Sequence, residues 1–406
     1  MISSDLRHSL ARAVAAAGFD RATDPGLRPT GTPGQYAASV ALSLGPDPRE
    51  VARTLAATLA QERWIAAAEV TGPGYLTITV TPEALAAVAA DVITAGPGCV
   101  TSDVLAGVTV PAAPGGDPLA APTWEEARAA LAARLTARLA AAAGATVAEP
   151  PGTERFRVTR PPRASSEDPP GPPAGAAARS RTWHDDGTGE PGTRSGDSEA
   201  GPDTGLAATV AFAGRDAVTF TLARAIPGKP LRVEPEIIAR HVPGNPAYAV
   251  RYAHARAASG VRWAVISRGG DPPHPPLSRR AGPMAKTAIV SGPPAGTVSC
   301  GDAGVSPRGA AAPPSSPADP GEMALSDALS WLPERVATAA RRGRPDEFAR
   351  YLEDLASVTV DVLSSASHHP GKATTPGSDR LALARAAQTG LAAGLGLLGV
   401  GAPERM

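Results

Sequence analysis

The chain has 406 residues and balances 39 Lys and Arg against 39 Asp and Glu, so bulk charge gives no case for a polyelectrolyte partner and any basic surface has to be local. Its 43 Gly and 44 Pro are about a fifth of all positions, against roughly 12% in ordinary proteins. They gather in residues 96–122, 151–205 and 269–321, which excludes one uninterrupted domain and leaves folded islands joined by linkers.

Cys99 and Cys300 both fall in these breaker-rich stretches. They form neither a metal spacing nor a disulfide framework, as suits a reducing cytoplasm. Met1 to Asp5 lack the basic-then-apolar run of a signal peptide, and no stretch of about 18 uninterrupted apolar residues exists. The expectation is a cytoplasmic protein with no membrane partner.

Residues 1–95 read as a compact α+β module. Leu6, Leu10 and Val14 recur at helical spacing before Gly18, and Tyr36, Ala38, Val40, Leu42 and Leu44 alternate as a strand does. Asp47-Pro48-Arg49-Glu50 starts a helix striped by Val51, Leu55 and Leu59. Trp64–Val70 and Tyr75–Val80 are strands around Gly72-Pro73-Gly74, and Thr81-Pro82 opens a helix carrying Leu85, Val88 and Val92. The Gly-Pro-Gly turn lacks a following helix start and a Lys, so it reads as a plain hairpin turn with no phosphate to hold.

Residues 96–205 read as a linker with one helix, about 123–143, opened by Thr123-Trp124-Glu125-Glu126. The tract 151–205 has too few apolar anchors to offset its ordering entropy and is expected to be disordered. His184-Asp185-Asp186 within it resembles a metal or acid/base cluster, but a flexible tract has no surrounding shell to fix it.

Residues 206–406 read as a second island, interrupted by a disordered insertion at 269–321. Ala208–Ala213 and Val218–Leu222 look like short strands around Gly214-Arg215-Asp216. Asn245-Pro246 starts a helix reaching about Ser267. Val250, His254, Ala257, Val261 and Val265 form its apolar stripe; Tyr248, Tyr252, Arg256 and Trp263 form a neighbouring face. Three more helices follow, from Met323 to about Arg341, Pro345 to Ser364 and Arg380 to Leu397, completing a bundle. Between 206 and 268 nine basic residues face three acidic ones, a local net charge of +6. Aromatics interleaved with Arg suit bases and phosphates; they equally suit tyrosines packed on neighbouring helices beside a solvated arginine face. His254, on the apolar stripe, reads as a hydrogen-bonded core histidine.

The segment from Asn245 to Arg256, NPAYAVRYAHAR, resembles the "NPxYxVxYAHAR" words of arginyl-tRNA synthetases, where their helical anticodon-binding domain begins. Arg350 to Ala356 (RYLEDLA) and Arg380 to Met406, ending in APERM, resemble the same family. Gly214-Arg215-Asp216-Ala217 is similar to the "GxDA" that closes its catalytic core, and the first island is similar to its N-terminal additional domain, which docks on the tRNA elbow. The resemblance implies an α+β module plus an all-α anticodon-binding bundle of the DALR type, joined by long disordered linkers. It also implies tRNA, or a structured RNA mimicking it, as partner, with Tyr248, Arg251, Tyr252, Arg256, Arg262 and Met406 as contact residues.

The departures are as specific. No histidine pair has the family's "HxGH" spacing, and the only lysines are Lys229, Lys286 and Lys372. The 110 residues between the islands are too few for a full nucleotide-binding sheet. No catalytic residue, cofactor or metal is therefore expected, and no arginine activation. Where the family usually places an aromatic pair, one ring of which contacts the anticodon loop, this chain has Val362 and Leu363. Two alternatives stay open: a degenerate ligase that completes its site with a partner such as the full-length synthetase, and a protein-interaction scaffold without RNA.

Overall fold

A computed structural model describes residues 1–19, 24–148, 205–267, 319–365 and 378–406. His184-Asp185-Asp186, and nearly all of the two tracts expected to be disordered, lie outside the described residues.

The first helix, α1 (Ile2–Ala16), buries Leu6, Leu10 and Val14 as their spacing demands. It packs with α2 (Pro48–Leu59) and α3 (Pro82–Ala95) around a four-stranded antiparallel sheet. The strands are β1 (Arg28–Pro29), β2 (Gln35–Ala38), β3 (Ile65–Thr71) and β4 (Tyr75–Val80), in the order β1-β2-β4-β3. Both helix starts are capped as the sequence indicates. Asp47 Oδ1 accepts from the Arg49 and Glu50 amides at 3.1 Å each, and the Thr81 hydroxyl accepts from Ala84 N at 3.2 Å. Gly72-Pro73-Gly74 is a hairpin turn. Gly74 has φ +141°, and a Cβ there would stand 2.7 Å from Pro48, so the turn lies tight against the start of α2.

The strand expected through Leu44 stops at Ala38, and Val40–Ser43 is a 3-10 turn. Val40 and its neighbour Ala41 are both buried; a strand sends consecutive side chains to opposite faces and cannot do this on a one-sided sheet.

Residues 96–123 differ from the linker expected of them. They hold the turns Gly96–Val100 and Pro118–Ala120 and the strand β5 (Thr109–Pro111). After α4 (Trp124–Ala142), β5 pairs in parallel with β6 (Thr146–Ala148). Cys99, Val100, Leu105 and Leu119 enter the core. The glycines that made this stretch look unstructured serve turns, with Gly96, Gly107 and Gly116 all at positive φ.

The two short strands expected at 208–222 are helices, α5 (Leu206–Ala213) and α6 (Arg215–Arg224), which meet at 119° around Gly214. Val218, Phe220 and Leu222 alternate in sequence, but Ala217, Thr219 and Ala223 are buried too. A helix enclosed on most sides shows such a pattern without being a strand. The bundle continues with α7 (Pro235–Ile238), α8 (Pro246–Ser267), α9 (Pro320–Ser330), α10 (Leu332–Arg342), α11 (Pro345–Ser365) and α12 (Ser378–Leu398). The single helix expected over 323–341 is broken at Trp331, because Pro333 in the first turn of α10 has no amide to continue the ladder.

The module and the bundle share one hydrophobic core, in which α3 lies against α9 and α12, and α1 against α10. Polar groups lock the junction. The Tyr36 hydroxyl donates to Asp327 Oδ1 at 2.7 Å and the Gly34 amide to the same oxygen at 3.2 Å. Ser3 Oγ donates to the Ser330 carbonyl at 2.6 Å, and Arg7 to Glu334 at 2.6 Å. Arg7 and Arg341 both pair with Asp24.

Pro82–Val100 and Asp379–Leu398 are long and apolar enough to cross a membrane by length and composition, each with mean hydropathy 1.3. Neither is an uninterrupted apolar run, since Glu83 and Asp91 fall within the first and Asp379, Arg380 and Arg385 within the second. Here the same stretches supply core residues, with Val88, Val92, Leu391, Leu395 and Leu398 fully enclosed.

Candidate nucleic-acid interface

The start of α8 is fixed by one side chain. Asn245, buried, donates to the Ile238 and Arg240 carbonyls at 2.8 and 2.7 Å, and its Oδ1 accepts from Ala247 N at 3.2 Å. The amide thus ties the end of α7 to the first turn of α8, and Pro246 begins the helix with its φ already set. Ala247, Val250, Ala253, His254, Ala257 and Ala258 then pack inward, against α11 and α12. Val261 is half-buried, and the Val265 side chain lies outside the described residues.

Two arginine-bearing faces flank this buried stripe. On the first, Tyr248, Tyr252, Arg256, Ser259 and Trp263 follow one another at intervals of three or four residues, the spacing of neighbours along a helix. The ring of His241, from the loop before α8, lies 5.5 Å from Tyr248 at 15°, and Tyr248 lies 5.7 Å from Tyr252 at 16°. Three near-parallel rings form a ladder. Arg256, one turn on, makes no hydrogen bond or ion pair among the described residues, and its Nε is buried without a partner. A guanidinium left without a counter-ion beside a row of π faces attracts both phosphate and base.

The second face carries Arg251 and Arg262, and the C-terminal tail reaches it at Arg262 and at the neighbouring His254. Arg251 pairs with Asp216 of α6 at 3.4 Å, and Arg262 reaches Glu404 at 3.8 Å. Between them His254, only 3% exposed, holds the tail: its Nδ1 lies 2.9 Å from the Pro403 carbonyl. A carbonyl only accepts, so Nδ1 carries the proton. His254 is a core histidine with a structural bond, as its place on the apolar stripe implies. Met406, at the end of the tail, is 53% exposed.

The six residues singled out in the sequence thus divide. Tyr248, Tyr252 and Arg256 stand together on one half-buried row, whereas Arg251 and Arg262 have acidic partners, Arg262 on the tail that ends in Met406. His241 was missed. It joins the ladder across the turn preceding the helix, and no periodicity within α8 points to it.

At the far end of the first row lies a groove of about 280 Å³, lined by Arg256, Ser259, Gly260 and Trp263 of α8, Leu363 of α11, and Arg380, Leu381 and Ala384 of α12. Val362, the other half of the missing aromatic pair, is buried beside it in sequence and absent from the lining. Arg380 is engaged by Asp319 at 3.1 Å and Glu322 at 2.8 Å. Among the described residues no group of three or more His, Cys, Asp or Glu could hold a metal ion.

Comparison with known proteins agrees with the layout. Residues 4–80 match the arginyl tRNA synthetase N terminal domain, and residues 306–406 match the DALR anticodon binding domain. Among curated relatives, the arginine-tRNA ligase of Frankia alni is 31% identical over 199 residues, covering 48% of this chain and 29% of that protein. The arginine-tRNA ligase of Micrococcus luteus is 30% identical over 205 residues, covering 48% of this chain and 30% of its own. The matched part therefore spans less than a third of the length of these relatives. Among solved structures, Thermus thermophilus arginyl-tRNA synthetase superposes with a TM-score of 0.59 at 16% identity, covering 100% of each chain, which is a likeness of fold. The chain is related to the arginyl-tRNA synthetases and carries an N-terminal domain and a DALR anticodon-binding domain of their kind. The Asn245–Arg256 words lie between the two matched ranges.

Proposed function

We propose that this chain is a cytoplasmic RNA-binding relative of arginyl-tRNA synthetase that holds tRNA, or an RNA folded like it, on the α8 row and does not activate arginine by itself. The observation that carries this reading is the ladder His241, Tyr248 and Tyr252, continued one turn on by Arg256, which is unpaired among the described residues. Stacked rings receive bases of any identity, and a free guanidinium receives the phosphate that accompanies them. Aminoacylation depends on placing ATP and arginine together in a preorganised, charged site. The absence of an "HxGH" pair and the scarcity of lysine in the sequence support a chain that lacks one.

Filter binding of total tRNA at two salt concentrations tests the first half. Binding at micromolar or tighter affinity, weakening as salt rises because phosphate neutralisation releases counter-ions, is expected; no binding at low salt rejects the reading. Exchanging both Tyr252 and Arg256 for Ala should abolish most of that affinity, whereas a scaffold using another face would keep its partner. Arginine-dependent exchange between ATP and pyrophosphate tests the second half. It is expected to be absent for the chain alone, and a rate in the mixture above that of full-length synthetase by itself would favour a partner subunit.

A further inference from the structure

Where the module meets the bundle, a cleft of about 590 Å³ opens beside α1, within the size range of small-molecule sites, roughly 300–1,000 Å³. Its walls come from three parts of the chain: α1 with the residues around Phe19 and Pro25, the stretch at Asp103 and Val104, and the end of α10 at Arg341. Leu10, Val14 and Val40 are buried, Phe19 and Val104 half-buried, and together they form an apolar wall. Arg7, Asp24 and Arg341 form a charged one. Counting bonds on the charged wall decides what it can receive. Asp24 already has three donors: Oδ1 accepts from the Gly26 amide at 3.1 Å and from Arg7 at 3.4 Å, and Oδ2 accepts from Arg341. Burial works against its charge, but the Gly26 amide, Arg341 and Arg7 outweigh burial, so Asp24 has no proton to offer. Arg341 is different. It uses only Nη1, on Asp24, and among the described residues the rest of its five N–H donors meet no acceptor. Its side chain is 37% exposed, so the surplus on this wall is of donors that a ligand can reach.

We propose that this cleft binds a small organic acid, one carboxylate on an apolar body, with the carboxylate on the free Nε and Nη2 edge of Arg341 and the body against Leu10, Val14, Phe19, Val40 and Val104. That edge of a guanidinium presents two parallel N–H groups, the match for two carboxylate oxygens. One negative charge suits the lining better than two. Its arginines are balanced by Asp24 and by Asp103, which lies 3.9 Å from His8, and a phosphate ester would add a second charge for these carboxylates to repel. Because α1 belongs to the module and α10 to the bundle, the bound acid bridges the two and tightens their junction. The proposal is independent of the RNA-binding reading, and the failure of one leaves the other standing.

The test titrates the full chain with phenylbutyrate, followed by calorimetry and by thermal melting, beside phenylbutyramide, which lacks the charge, and acetate, which lacks the apolar body. Phenylbutyrate is expected to bind at millimolar or tighter affinity and to raise the melting temperature, because a ligand held only by the folded state stabilises it. Phenylbutyramide should bind about tenfold more weakly or worse, the ratio for a lost charge-assisted hydrogen bond, and acetate should not bind measurably. Arg341→Met should bring phenylbutyrate down to the affinity of the amide. Ala15 is exposed on α1 and belongs to the lining, so Ala15→Phe places a ring in the cleft without entering the core. That variant should melt close to the parent chain and lose phenylbutyrate binding. No binding by the parent chain at millimolar concentrations overturns the proposal. So does equal affinity for the acid and its amide, and so does undiminished binding in Ala15→Phe, which would put the acid elsewhere on the surface.

Discussion

At the scale of single residues, the polar groups that matter are those whose partners the fold supplies. Asp346, fully buried in the first turn of α11, accepts from Arg344 at 2.7 and 2.8 Å and from Arg350 at 3.1 Å. Its charge also favours the positive end of the α11 dipole. Asp346→Ala removes three charge-assisted bonds, but both arginines reach solvent and can hydrate. A loss of about 2 kcal/mol is expected in urea unfolding. In the His254 bond the histidine is the buried partner and the half-buried Pro403 carbonyl is the acceptor it would leave behind. His254→Phe keeps a ring of similar size but cannot donate, so stability should fall by about 1–3 kcal/mol. Carboxypeptidase should also trim the freed tail from Met406 faster than in the parent chain. The bond was half legible in the sequence: helical spacing put His254 on the inward stripe, but its acceptor lies 149 residues away.

At the scale of elements, α12 separates glycines that matter from one that does not. A Cβ on Gly394 would stand 2.5 Å from Leu352, and one on Gly390 2.9 and 3.0 Å from Leu332 and Leu329. All three leucines are fully buried, so the clash cannot be relieved by turning into solvent. Gly394→Ala should therefore cost about 1–3 kcal/mol through overpacking, in spite of the gain in helix propensity. Gly396 is exposed, with nothing within 4 Å of the added methyl. There Ala should raise stability by up to about 1 kcal/mol, and the two variants melted side by side check the contrast. Elements whose surroundings are local were legible in sequence, as the Asp47, Thr81 and Asn245 caps show. Those with remote surroundings were not. The burial of α6 on most of its sides turned a helix into an apparent strand, and the turn-forming glycines of 96–122 looked like a linker because their packing partners, such as the 139–143 end of α4, come later in the chain.

At the scale of the whole molecule, the two islands read from composition share a core, and the residues that join them were invisible because each looks like surface. Ser3, Asp327, Ser330 and Glu334 occupy positions that a helical wheel would leave to solvent, yet their partners lie about 290 to 330 residues away. The junction makes a pH-dependent prediction. Burial raises the Asp327 carboxyl above its ordinary value, outweighing the bonds from Tyr36 and Gly34 that favour its charge. The folded state then holds this proton more tightly than the unfolded chain. Asp327 thus contributes most stability below the unfolded carboxyl range and loses it as pH rises through the folded value. Asp24, on the same junction, behaves oppositely. Burial there is outweighed by the Gly26 amide, Arg341 and Arg7, so its carboxyl is lowered, and its contribution is lost as pH falls. Asp327→Asn keeps the oxygen that Tyr36 and Gly34 donate to and removes the charge. It should be at least as stable as the parent at pH 7, with that margin shrinking toward pH 4. Asp327→Ala leaves the Tyr36 hydroxyl only its longer contact with Ser330 Oγ at 3.3 Å and takes the side-chain acceptor from the Gly34 amide, and should cost about 1–3 kcal/mol at either pH. Because module and bundle share one core, the loss should lower the melting of both together. A parent-like melt for Asp327→Ala, or a first transition confined to the sheet, would show that the module folds without leaning on α9.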